Sequence, residues 1–319
     1  MLYNCEEQGY SLIYDIFTDK NNISSISIMG IKYVGSEFSN HNILSIPEKI
    51  NGIPVTEISH GAFAKDKEIK KLTLPKTLKN INPNAFSNST IESVYISPGV
   101  EIIDDGAFKN CEKLKEISLP EGLSRIGYGA FSRCNNLISI TIPDSVTSLS
   151  DSVFDFCTSL KELHIGSGLT SIVDVDEYSS KNPYYSDFKD ICYCCSNIEK
   201  ITVSPDNKRF KVYGNILYDV KEKVLLKVFD IENHDTVIVP KWVKSFANNS
   251  FDFVCLNKLI IKSPYLERIG LAGIDIKTVY CVPGSNVEEY FKDKRINTKH
   301  FIDEGINGFL SALTDEKTI

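Results

Sequence analysis

"IGYGAFSRCNNLISITIPDSV", Ile126 to Val146, opens on a glycine-flanked turn and passes through Ala130, Phe131 and Cys134. It closes on an alternating apolar run, Leu137, Ile140 and Ile142, ended by Pro143. Taken alone, the turn suggests a phosphate loop and the cysteine a nucleophile. The rest of the chain decides otherwise. Ala-Phe recurs at Ala62-Phe63, Ala85-Phe86, Ala107-Phe108 and Ala130-Phe131, with Val153-Phe154 as a variant, at steps of 23, 22, 23 and 23 residues. A second column moves with it: Leu72/Leu74, Val94/Ile96, Ile117/Leu119, Ile140/Ile142 and Leu163/Ile165. A third is proline at Pro75, Pro120 and Pro143, displaced to Pro98 once and replaced by Gly166 once. A fourth is apolar: Ile81, Ile103, Ile126, Leu149 and Ile172.

Columns that keep step over five units describe a solenoid. No single coil buries its own apolar face, so coils stack and share a continuous core. In L-x-x-I-x-I-P the apolar residues point inward and the intervening ones outward, because strand side chains alternate. Proline fits the strand end, where no further ladder donor is needed. Gly106, Gly127 and Gly129 mark turn positions that need positive φ or close backbone approach. The expected fold is a mainly β leucine-rich-repeat solenoid: a right-handed superhelix of about ten coils of 22–23 residues. It carries a parallel sheet on one face and short helical or 3-10 turns on the other. Strands are expected near residues 44, 73, 95, 118, 141, 164, 202, 238, 260 and 280.

The unit resembles the BspA-type leucine-rich repeat family, L-x-x-I-x-I-P-x-x-[VL]-x-x-I-G-x-x-A-F-x-x-C. "LKEISLPEGLSRIGYGAFSRCNNLISITIPDSVTSL" matches at nearly every position. "ILSIPEKINGIPVTEISHGAF" (Ile43 to Phe63) resembles that family's opening unit, and "VYCVPGSNVEEYF" (Val279 to Phe291) its closing segment. The resemblance covers about residues 40 to 291. It implies a non-enzymatic interaction module of the kind found in microbial surface proteins that act in adhesion and bind host matrix proteins.

Three regions depart from the rhythm. "YSLIYDIF" and "SSISIMGIKYVG" flank the turn "TDKNN" and read as a β-hairpin cap in residues 1–42, shielding the first open coil. The solenoid then spans 43–285 with insertions at about 173–191 and 206–232. In the first, "VDVDEYSSKNPYYSDFKDICYCC" delays the next Phe-x-x-Cys by about 15 residues. In the second, "RFKVYGNILYDVKEKVLLKVFD" reads as a hairpin around "DVKEK". Residues 286–319 read as a helical C-terminal cap, with Phe301, Ile302, Ile306, Phe309, Leu310 and Leu313 at helical spacing.

Composition narrows the function. The chain has 319 residues, 42% hydrophobic and 24% charged, with a formal net charge of −7. No basic stripe of a nucleic-acid binder is present, since runs such as Lys65 to Lys71 are broken by acids. No apolar window is long enough for a transmembrane helix, so no membrane insertion is expected. "MLYNCEEQGY" is not read as a signal peptide, and the nine cysteines are read as reduced thiols. Cys111, Cys134, Cys157 and Cys195 share one repeat column and read as buried packing residues. "CYCC" at Cys192–Cys195 lacks the second ligand pair of a zinc site. The five histidines are scattered. There is no G-x-S-x-G, P-loop or G-x-G-x-x-G. No catalytic, metal or cofactor residues are assigned, and no cofactor is expected.

What the repeat leaves free is its outward face. The outward pairs Lys71/Thr73, Ser93/Tyr95, Glu116/Ser118, Ser139/Thr141, Glu162/His164 and Lys200/Thr202 form a polar ladder. It suits either a recognition surface or a solvated sheet face. The insertion adds acids and tyrosines, and tyrosine is common in binding hot spots. The candidate partner-binding residues are therefore Tyr95, Ser118, Thr141, His164, Asp176, Tyr178, Tyr184 and Tyr185. The expected partner is a protein, an extracellular-matrix or host surface protein by resemblance, with no nucleic acid. Two settings stay open: cell-surface or secreted adhesion, and an intracellular, cytoplasmic scaffold or regulator favoured by the unsignalled start and unpaired cysteines.

Overall fold

A computed structural model describes residues 1–5, 9–34, 42–173, 190–229, 236–247, 249–252, 254–269, 275–294 and 296–300. The chain forms two compact units, Met1–Val212 and Tyr213–Ile319.

In the first unit the coils build two parallel ladders. The front ladder holds the L-x-x-I-x-I strands: Ile43–Ser45, Lys71–Thr73, Ser93–Tyr95 and Glu116–Ser118 in one sheet, and Ser139–Ile142, Glu162–Ile165 and Lys200–Val203 in another. The rear ladder holds the fourth sequence column: Ile53–Ile58, Asn80–Ile81, Ile102–Ile103, Arg125–Ile126, Ser148–Ser150 and Ser171–Val173. Each strand pairs with the equivalent residue one coil on, as Ile103 with Ile126 and Ile126 with Leu149. Leu137, Ile140 and Ile142 from the front and Ile81, Ile103, Ile126 and Leu149 from the rear are buried between the ladders.

A turning arc joins rear to front, and Ala-Phe sits in it. Phe63, Phe86, Phe108, Phe131 and Phe154 form a continuous buried stack, with successive ring centroids 5.1, 5.2, 5.5 and 5.8 Å apart and interplanar angles of 6–9°. Each phenylalanine amide also donates to the alanine-column carbonyl one coil on, Phe63 to Ala85 and Phe108 to Ala130 among them. Where helical or 3-10 turns are expected from the sequence, the arcs hold isolated turns instead. The reason is local: the residues two before and two after each phenylalanine have positive φ. Gly106 and Asn110, at 60° and 59°, bracket Phe108, and Gly129 and Arg133, at 56° and 61°, bracket Phe131. Left-handed residues cannot propagate a right-handed helix, and Gly and Asn tolerate that region best. Gly127 serves differently: a Cβ there would lie 2.5 Å from the Asp105 amide nitrogen, so the neighbouring coil requires glycine.

The rear ladder begins with three antiparallel strands, Leu2–Cys5, Tyr10–Thr18 and Ser24–Tyr33, the last running parallel to Ile53–Ile58. Tyr10, Leu12, Ile26 and Ile28 are buried there, and the Tyr10 hydroxyl donates to the Ser45 carbonyl at 2.6 Å. These side chains cover the end of the core that no earlier coil covers.

In the second unit, Ile216–Asp219 and Val224–Val228 form the hairpin read from "DVKEK". Its second strand runs parallel to Ser245–Phe246, so the hairpin is a rung of a ladder rather than an appendage. A second ladder holds Thr236–Val239, Cys255–Ile261 and Asp275–Cys281, around a core that includes Val237, Phe246, Phe251, Leu259, Val279 and Phe291. The helix Asn286–Asp293 follows, capped by Ser285. The stretch expected to be helical then yields a fourth strand, Asn297–His300, parallel to Asp275–Cys281. Asn and Thr are poor helix formers, and pairing there satisfies backbone groups of the preceding strand that would otherwise be left at a sheet edge. Residues 301–319 lie outside the described residues. Among the described residues no helix is long and apolar enough to cross a membrane.

Candidate protein-binding face

Strand alternation turns the front ladder's outward side chains into columns. Thr73, Tyr95 and Ser118 are in direct register, as are Thr141, His164 and Thr202. Beside them run Lys71, Ser93 and Glu116, then Ser139, Glu162 and Lys200. Tyr95 stands out from the sheet with 58% of its surface exposed, while Ser118 and Thr141 are exposed polar neighbours. His164 is half-buried, its Nδ1 2.8 Å from Thr202 Oγ1. Four of the eight residues singled out from sequence therefore share one face. The other four, Asp176, Tyr178, Tyr184 and Tyr185, lie outside the described residues.

The insertion's two stems can be placed. It departs after the rear strand Ser171–Val173 and returns at Asp190, at the start of the arc. The arc then closes in register, with Ser152, Phe154 and Phe156 amides donating to Asp190, Ile191 and Tyr193 carbonyls. Ile191 thus takes the alanine column and Cys192 the phenylalanine column, which ends the ring stack. The stems belong to the rear side of the coil, whereas the outward columns lie beyond the arc.

One feature of the front face escaped the sequence columns. Backbone pairing stops between Glu116–Ser118 and Ser139–Ile142, which belong to separate sheets. The rear ladder and the arc stay paired at the same coils. Beside this seam Ile117 and Leu119 are only half-buried, whereas Ile140 and Ile142 in the next coil are buried. Ile138 is 52% exposed. The signal was present: in the column Lys70, Glu92, Lys115, Ile138, Lys161, Glu199, Ile138 alone is uncharged.

The cysteine column is packing. The thiols of Cys111, Cys134, Cys157 and Cys195 donate to the carbonyls of Phe86, Phe108, Phe131 and Phe154, at 3.1, 3.3, 3.1 and 2.9 Å. A small apolar side chain with a weak donor satisfies a buried carbonyl on the adjoining coil. Burial pushes the Cys111 thiol up to about 11 and holds Cys134 well above its ordinary value. Within "CYCC", Cys192 fills the ring column, Cys194 takes the left-handed position with φ 59°, and Cys195 fills the thiol column. Among the described residues no His, Cys, Asp or Glu cluster is arranged to hold a metal ion.

Stacked coils, two parallel ladders and an A-F-x-x-C arc agree with the comparisons with known proteins. The BspA type leucine-rich repeat region matches residues 79–213 in six copies. Those residues are BspA-type leucine-rich repeats. Among solved structures, the chain is similar to the pneumococcal vaccine antigen PcpA, at 20% identity and a TM-score of 0.69 over 88% of this chain and 72% of that one. It is also similar to a leucine-rich repeat protein from Bacteroides ovatus (22% identity, TM-score 0.57, 85% and 69% coverage). A leucine-rich cell surface protein from Faecalibacterium prausnitzii is a third (21%, 0.55, 87% and 78%). At these identities the likeness is one of fold. No curated protein sequence matches the chain. BspA-type repeats supply the coils of residues 79–213, and the repeat family implies a protein-interaction module.

Proposed function

We propose that this chain is a non-enzymatic adhesin module that docks a host or matrix protein on its front sheet face, with the 173–191 insertion as a second contact. The observation that carries this reading is the set of apolar and aromatic side chains left outward on an otherwise polar face. These are Tyr95 and Ile138, beside which the inward-facing Ile117 and Leu119 are left half-exposed at the seam. An exposed aromatic and aliphatic anchor ringed by polar residues is the composition of an interface hot spot. The ring here is Glu92, Lys115, Glu116, Ser118, Ser139 and Thr141. The surface setting is supported by two structural neighbours, a vaccine antigen and a cell surface protein. An intracellular scaffold is the second reading, favoured by the eight described cysteines being free thiols.

Binding of the full chain to immobilised matrix proteins and intact host cells tests the face. Truncating a buried aromatic anchor costs about 2 kcal/mol, roughly thirtyfold in affinity. The Tyr95→Ser, Ile138→Lys double variant should lose at least that much with an unchanged thermal melt. Full retention of binding would place the contact elsewhere. Protease added to intact cells separates the two settings: digestion supports the adhesin, and protection under conditions that strip other surface proteins supports the scaffold.

A further inference from the structure

Seven of the thirteen exposed large apolar side chains among the described residues lie between Met1 and Val34, on the three-stranded cap. Such residues scattered singly need no explanation, but a contiguous group marks a contact surface. This group is contiguous. Leu2 stands directly opposite Ile13, and Ile13 opposite Gly30. Met29 is the extra residue where the register shifts, since Tyr14 pairs with Ile28. Leu2, Ile13 and Met29 are 57%, 38% and 50% exposed and form one row across the three strands. Phe17, also exposed, lies further along the strand of Ile13, on the same side. The side chains that alternate with them, Leu12, Tyr14, Ile26 and Ile28, are buried. The cap therefore closes the solenoid with one face and presents an apolar row on the other.

Charge is arranged about this row with a direction. Asp15 lies two residues beyond Ile13, and Lys32 lies two residues beyond Gly30 on the antiparallel neighbour. Two strand residues span about 7 Å, so the acid stands to one side of the row and the base to the other. Both are exposed, and neither makes an ion pair among the described residues. The Asp15 carboxylate accepts from the adjacent Ile16 amide at 2.9 Å, which leaves its charge without an opposite. A surface complementary to this one carries an apolar row with a base to face Asp15 and an acid to face Lys32. The chain carries that surface itself. A twofold rotation about the row sets apolar row on apolar row, and brings each copy's acid over the other copy's base. Such self-complementarity is what an interface between identical subunits requires.

We propose that this cap face is a homodimer interface, in which two copies pack cap to cap about a twofold axis along Leu2, Ile13 and Met29, with Asp15 of each copy facing Lys32 of the other. The pairing does not involve the front face, so it stands or falls apart from the protein partner proposed there. Where that partner is displayed in many copies, a dimer with two front faces gains avidity.

Sedimentation equilibrium of the full chain from about 1 to about 200 μM tests the proposal. A reversible dimer with a micromolar dissociation constant is expected, because the patch is smaller than the roughly 20–30 residues a side of a standard stable interface. Asp15→Lys should raise that constant at least fivefold, and so should Lys32→Asp, since each sets like charges face to face in both symmetry-related pairs. The double variant Asp15→Lys, Lys32→Asp exchanges the charges and should return the constant to within twofold of the parent. Leu2→Lys, at the end of the row, should leave the chain monomeric over the same range with an unchanged thermal melt. Asp15 and Lys32 are both exposed, so the charge exchange still decides the matter if Leu2→Lys fails to fold. A parent that stays monomeric throughout would assign the row to another partner and overturn the proposal. So would a dimer that survives folded Leu2→Lys or either single reversal unchanged, or a double variant no tighter than the single ones.

Discussion

Replacing Phe108 with alanine tests whether the ring stack is the energetic spine of the first unit. Phe108 is fully buried and sandwiched between Phe86 and Phe131 at 5.2 and 5.5 Å, nearly parallel to both. Phe→Ala in a core costs about 3–5 kcal/mol, and sites that cannot collapse lie at the upper end. Phe108 is such a site, because its coil is held to the next by the Phe108 amide on the Ala130 carbonyl and by rear-strand pairing. The expected loss is therefore about 4–5 kcal/mol. Phe154 has one ring neighbour at 5.8 Å and a thiol-bearing residue, Cys192, in its column on the next coil. Its truncation should cost about 1 kcal/mol less, one aromatic pair's worth. Urea unfolding followed by far-ultraviolet circular dichroism reads both. With a slope of about 2–3 kcal/mol per molar, the Phe108→Ala midpoint should fall by roughly 1.5–2 M. Thr141→Ala, on the exposed side of a front strand, should shift stability by under about 0.5 kcal/mol. A Phe108→Ala midpoint within error of Thr141→Ala would refute the stacked-core argument.

Two further outcomes are expected. Thiol labelling of the native chain at neutral pH should modify exposed Cys255 within minutes and leave Cys111 and Cys134 unmodified until urea is added, because burial both hides them and raises their thiols; native-state labelling of Cys134 would contradict its place in the core. Glu288 is held from 4.5 down to about 2 by Lys292, by the Gly284 amide and by His300. Its folded value lies below its unfolded one, so its contribution is complete above about pH 4.5 and is lost as pH falls toward 2. Unfolding followed through Trp242, the chain's one tryptophan, should show that acid loss in the parent and a flatter profile in Glu288→Gln; parallel profiles would remove Glu288 as the acid-sensitive group.

The inward architecture was legible because a solenoid packs each side chain against the same column in the coils before and after it. Phe108 needs Phe86 and Phe131, and Cys134 needs the Phe108 carbonyl, so the columns repeat and the period announces itself. All ten expected strands lie in the parallel ladders, and Gly106 and Gly129 have the positive φ expected of them. Features set by one coil against its neighbour were harder to read. Ile117 matches its column in every respect, and its partial exposure comes from a pairing that stops beside it. The strand Asn297–His300 has no repeat signature and forms because Asp275–Cys281 offers it a partner. The insertion hides the register at Cys192, and only the arc pairing puts it in the ring column.

The same logic says where recognition can be encoded. An inward substitution is felt by two interfaces, which leaves those columns little freedom to carry ligand information. Outward columns and changes of period are free of that constraint. Ile138 breaks a charged column on the front face, and its neighbours stay packed. The deletion in the 88–91 turn, the source of the single 22-residue step, costs the core nothing visible: Phe86 and Ile91 are both fully buried, and the ring stack passes through at 5.1 and 5.2 Å. A missing residue that spares the core alters only what the coil presents at its surface. Restoring that residue with a glycine between Ser89 and Thr90 should therefore leave the urea midpoint unchanged; a lower midpoint would show that the core does register the length of this turn.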